Sequence, residues 1–85
     1  MTQADLFPRR PGPDELFKSG SQNHRIYTEI LKRGAISNVE IVHRLNIMNS
    51  TGRVSEIRRK LRPYLVNVAC QQAGDGGVFV YSLKG

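Results

Sequence analysis

From residue 21 onward the apolar positions follow two rhythms, a period of about 3.6 residues as far as Pro63 and of about 2 beyond it. Ile26, Tyr27, Ile30 and Leu31 recur at the i, i+1, i+4, i+5 spacing of one helical face. Ser21 is a good N-cap for that face, Lys32 and Arg33 suit the negative end of the helix dipole, and Gly34 supplies a left-handed residue that stops the helix. The spacing predicts a first helix over about 22–33. Ala35 and Ile36 read as a short extended link. Ser37 and Glu40 form a Ser-x-x-Glu capping box that opens a second helix, with Val39, Ile41, Val42 and Leu45 as its apolar face. Asn46, one of the few non-glycine residues that tolerates positive φ, ends it. Ile47 then plugs a tight turn, Asn49 or Ser50 caps a third helix running to about Leu61 with Val54, Ile57 and Leu61 inward, and Pro63 closes it.

Beyond Pro63 the segment Tyr64 to Gln71 carries Leu65, Val66, Val68 and Cys70, and Val78 to Leu83 carries Phe79, Tyr81 and Leu83 on alternate positions. Ala73-Gly74-Asp75-Gly76-Gly77 between them is turn chemistry, so the two runs predict a β-hairpin. In that reading Cys70 is a small buried strand residue. Residues 1–20 hold Pro8, Pro11 and Pro13 with Gly12 and Gly20 and show no sustained period; they read as a flexible N-terminal arm, with one domain over residues 21–85. The expected class is α+β, three helices followed by a hairpin. Eighty-five residues suit one small core and no large cleft.

Charge changes this picture because it is unevenly placed. In residues 1–20 the three cations and three anions cancel, whereas residues 21–85 carry ten Lys/Arg against four Asp/Glu, so the net +6 falls on the predicted domain. Five of those ten, Arg53, Arg58, Arg59, Lys60 and Arg62, sit in one ten-residue stretch opposed only by Glu56. A patch of that density suits a polyanion, of which nucleic acid is the commonest; charge alone equally fits a solvated helix face.

Two short helices joined by a turn with a positive-φ residue at its start and an apolar residue after it make a helix-turn-helix, here Glu40 to Met48 leading into the third helix. Leu45-Asn46-Ile47, then Arg53-Val54-Ser55-Glu56-Ile57-Arg58, then a strand ending Tyr81-Ser82-Leu83 resembles the short winged helix-turn-helix proteins often encoded by bacteriophages. The resemblance covers about residues 22–83. It departs at Asn46, where glycine is more usual, and at Arg62-Pro63, where the link into the hairpin is longer. It implies a regulator of transcription that docks its third helix in the major groove of double-stranded DNA, as a monomer or homodimer. On that basis Asn49, Ser50, Thr51 and Arg53 are candidates for contacts at or near the bases, Arg58, Arg59 and Arg62 for the phosphate backbone, and Gly52 for close approach of DNA. Each has a plainer alternative. Asn49 and Ser50 can simply cap the helix, Gly52 can serve packing, Arg53 can pair with Glu56, and Arg59 and Lys60 can be solvated surface. Asp75 at the hairpin tip disfavours a wing contact.

In the arm, Gln3-Ala4-Asp5-Leu6-Phe7 resembles the pentapeptide by which bacterial proteins bind the sliding clamp of the replicative polymerase. The resemblance implies a protein partner reached through Gln3, Asp5, Leu6 and Phe7, with Leu6 and Phe7 in an apolar pocket. The alternative is an arm with incidental apolar residues that dock on their own domain. A protein-interaction module directed at a host replication or transcription protein is therefore a second class of function, and an RNA-binding winged domain a third.

Against an enzyme stands the sparse chemistry. His24, His43 and Cys70 are the side chains that titrate near neutrality, and no nucleophile sits beside a base. One cysteine forms neither an internal disulfide nor a zinc site, so no metal or cofactor is expected. No apolar run approaches the roughly 20 residues of a membrane span and no secretory signal is visible. Together these predict a cytoplasmic protein, in the bacterial host if phage-encoded.

Overall fold

Capping side chains decide where the helices start and stop. The computed structural model describes residues 10–74 and 76–84. A short helix, α1 (Pro13–Leu16), precedes α2 (Gln22–Arg33), whose N-cap Ser21 accepts from the His24 N–H at 3.2 Å and which ends at Gly34, φ 87°. After β1 (Ala35–Ser37), helix α3 (Asn38–His43) opens on the Ser37/Glu40 box: Glu40 N–H donates to Ser37 Oγ at 3.0 Å and Ser37 N–H to Glu40 Oε1 at 3.1 Å. Asn46 takes the expected left-handed conformation, φ 58°. Asn49 caps α4 (Ser50–Leu61), which passes into a 3-10 turn over Arg62–Tyr64. Strands β2 (Asn67–Gln72) and β3 (Phe79–Lys84) follow.

These elements make an α+β fold of four helices and one three-stranded antiparallel sheet, in the order β1-β3-β2. Its core joins Ile26, Tyr27 and Ile30 of α2, Ile36 of β1 and Ile41 of α3 to Val54, Ile57 and Leu61 of α4, with Val68 and Tyr81 from the sheet. Ile47, in the turn between α3 and α4, is fully buried. Fully burying one such side chain is worth about 1.5–3 kcal/mol, so the plug fixes how α3 and α4 cross.

Several features differ from the sequence reading. Ala35–Ser37, read as a link, pairs as a third strand with β3, Ile36 lying opposite Tyr81; three residues are too few for alternation to show a strand. The first hairpin strand begins at Asn67 rather than Tyr64. The turn that Pro63 enforces closes with Leu65 N–H on Arg62 O, leaving Leu65 at φ 61° and 76% exposed. Val39 is 42% exposed instead of joining the apolar face of α3, because a helix of six residues buries only one narrow side. Cys70 is exposed: it sits on the edge strand and lines the open groove between α4 and the hairpin.

The expected arm, residues 1–20, is described from Arg10, and its second half is packed. Pro11 is buried, with its carbonyl accepting from the Tyr27 hydroxyl at 2.7 Å, and Phe17 meets the Tyr27 ring edge-on at 5.8 Å. Burial of this phenol, more than any neighbouring charge, holds its pKa above the ordinary value. His24 is half-buried, and its Nε2 lies 2.7 Å from Asp14 Oδ1, tying α1 to α2. The periodicity missed this segment because the Phe17–Tyr27 ring contact and the hydrogen bonds of Tyr27 and His24, not a repeating face, hold it.

Candidate nucleic-acid interface

Helix α4 turns three inward residues, Val54, Ile57 and Leu61, to the core, and everything else about its surface follows from that orientation. At about 3.6 residues per turn, Thr51, Ser55, Arg58, Arg59 and Arg62 fall on the flank and outer face away from α2. Thr51, Ser55, Arg59 and Arg62 are exposed. Arg58 is half-buried where α4 meets the sheet, its Nε donating to the Val68 carbonyl of β2 at 2.9 Å. Between α4 and the hairpin lies a groove of about 240 Å³ lined by Thr51, Val54, Arg58, Cys70, Phe79 and Tyr81.

The remaining expected contact residues separate from this face. Asn49 caps the helix, its Oδ1 accepting from Gly52 N–H at 3.1 Å. Gly52 has a local reason to be glycine, since a Cβ there would stand 2.5 Å from Asn49 Nδ2 and push the cap aside. Ser50 is half-buried on the inward side of the first turn. Arg53 is nine positions before Arg62, about two and a half turns, and so lies on the opposite side of α4. There its guanidinium bonds Glu56 at 3.2 Å while Glu56 accepts from Asn23 of α2 at 2.8 Å. The i, i+3 pairing anticipated for Arg53 is thus present, and it belongs to the α2–α4 contact. Gln3, Asp5, Leu6 and Phe7 lie outside the described residues.

Electrostatics divide the surface in the same way. Arg33 and Arg44 share Glu29 and Glu40, with Arg33–Glu40 the shortest at 2.7 Å. Glu40 is held below the usual carboxylate range, first by the Ser37 backbone N–H and then by Arg33. Among the described residues no carboxylate pairs with Arg58, Arg59, Lys60 or Arg62.

Two residues of consequence escaped the sequence reading. Ser55 sits between Thr51 and Arg59 on the outer face; the polar stripe 51, 55, 59, 62 was visible at helical spacing but was overshadowed by the charges. Asn38 reaches from α3 to the hairpin, donating to Gly77 O at 3.0 Å and accepting from Phe79 N–H at 2.9 Å. No sequence signal marks it, because its partners are some forty positions away and are backbone atoms.

Among the described residues no group of histidine, cysteine and acidic side chains is disposed to hold a metal ion, and no helix is long and apolar enough to cross a membrane. No protein family, curated protein or solved structure matches the chain.

Proposed function

We propose that this protein binds duplex DNA as a winged helix-turn-helix, with α3 and α4 as the helix pair and the β2–β3 hairpin as the wing. The observation that carries the reading is the outer face of α4 and the turn after it, where Arg58, Arg59 and Arg62 stand with Thr51 and Ser55 and, among the described residues, no carboxylate pairs with them. Arg33, Arg44 and Arg53, elsewhere, are each matched by a glutamate. A helix of about 10–12 Å diameter enters a major groove about 12 Å wide. The short hydroxyls of Thr51 and Ser55 then meet base edges, and the arginines span the flanking phosphates. Arg58, braced on the sheet by Val68, arrives with its geometry already set. Arg53 takes no part. Asn38 fixes the hairpin to α3, so wing and helix approach the duplex as one surface.

The test is binding to labelled duplex across a salt series. Three or four phosphate contacts at about 0.9 each give a log-log slope of about −3 to −4. A slope near zero, or tighter binding to stem-loop RNA than to duplex, removes this reading.

A further inference from the structure

Strand β2 is an edge of the sheet, and its outward groups are unequally protected. The register and the Ala73 N–H bond to Val78 O turn residues 67, 69, 71 and 73 toward β3, so the N–H and C=O of Val68, Cys70 and Gln72 face outward. Val68 is blocked on both sides: Asn67 Oδ1 accepts from its N–H and Arg58 Nε donates to its carbonyl, each at 2.9 Å. Among the described residues nothing gives Cys70 and Gln72 such cover, and residues 70–73 are exposed. Natural edges are usually guarded by charge, proline or a bulge. The stretch from Asn67 to Gly74 contains neither a charged residue nor a proline.

We infer that this edge and the adjoining groove bind an extended peptide segment of a partner protein, bearing a carboxylate at one end and apolar side chains on alternate positions. The added strand pairs with Cys70 and Gln72, and its apolar side chains enter the groove against Val54, Phe79 and Tyr81. Arg58 supplies the charge complement. With Nε engaged by Val68, its Nη groups remain for a carboxylate. The same Val68 cap stops the strand from running further, so the site takes a short segment in a fixed register. The inference does not depend on DNA binding, although both uses would compete for Arg58.

The test is amide NMR on the isotope-labelled full chain with two capped peptides, acetyl-Glu-Thr-Leu-Thr-Leu-amide and acetyl-Leu-Thr-Leu-Thr-Glu-amide, which place the carboxylate at either end. One of them should shift the Cys70 and Gln72 amides saturably and slow their hydrogen exchange about tenfold, leaving Ala69 and Gln71 unchanged. Replacing its Glu by Gln should weaken binding about tenfold, and Arg58→Ala should abolish that difference. No shift at millimolar peptide, or equal loss of both peptides on Arg58→Ala, overturns the proposal. So does protection of these amides by duplex DNA but not by peptide, which assigns the edge to phosphates. Changes that appear on concentrating the protein alone assign it to a second copy. Changes on deleting residues 1–9 assign it to the chain's own N-terminus, and both results overturn a partner peptide.

Discussion

Arg33 and Arg44, where α2 meets α3, stand among the carboxylates of Glu29 and Glu40, whereas Arg59 and Arg62 on α4 are exposed with no carboxylate partner among the described residues. Both pairs are surface arginines in or just after the last turn of a helix. The difference lies in what faces them. At the α2–α3 junction two helices bring glutamates to the arginines, so the cations are used internally. On the outer face of α4 no described element brings a carboxylate to Arg59 or Arg62, and both stay exposed. A count of basic residues cannot separate these cases.

The comparison breaks most sharply in binding. Arg59→Ala with Arg62→Ala should lower duplex affinity by about tenfold or more and flatten the log-log salt slope by about 2, with the thermal midpoint nearly unchanged. Arg33→Ala with Arg44→Ala should leave affinity and slope alone. Similar losses from the two double variants, measured by anisotropy, would mean that only overall charge matters and that α4 is no interface.

A second test asks whether the hairpin belongs to that surface. Asn38→Ala removes both bonds to Gly77 and Phe79 and leaves the Phe79 N–H without its partner. The expected loss is about 1–2 kcal/mol of stability in urea unfolding. Duplex binding under fully folded conditions should weaken if the wing takes part, and an unchanged affinity would confine contact to α4. The caps give a smaller effect. Ser37→Ala and Asn49→Ala should each cost about 1 kcal/mol. If Asn49→Ala also lowers duplex affinity where Ser37→Ala does not, Asn49 touches DNA as well as capping.

Much of this was legible along the chain because it is local. Ser21, Gly34, Ser37 with Glu40, Asn46 and Asn49 each act within four or five positions; α2, α3 and α4 begin where Ser21, Ser37 and Asn49 place them and α2 stops at Gly34, while α3 ends at His43, three positions before the left-handed Asn46. What escaped depends on distant partners. Ile36 becomes strand only because Tyr81 lies opposite it, and Cys70 is exposed because the groove between α4 and the hairpin stays open beside it. The candidate face shows the same division. Arg58, Arg59 and Arg62 were marked by charge, but that Arg53 turns away follows from Asn23 and Glu56 meeting on the α2 side.

The smallest effect concerns Glu40, and it tests the internal half of the comparison. Its carboxylate is stabilised in the native state by the Ser37 N–H and by Arg33, so its folded pKa lies below the ordinary glutamate value. A depressed carboxyl contributes stability that is present above the unfolded-state pKa and disappears as pH falls through the lower native value. Glu40→Gln keeps a side chain able to complete the capping box and removes only the charge. Wild type should therefore exceed this variant by a few tenths of a kcal/mol at pH 7, roughly the worth of an exposed ion pair. The gap should close as pH drops through and below the ordinary glutamate range, and molar salt should narrow it at pH 7 by screening the arginines. Duplex binding should be the same in both proteins. A gap that widens in acid would show that folding favours the protonated carboxyl of Glu40, and the pairing of Arg33 and Arg44 would then rest on Glu29 alone.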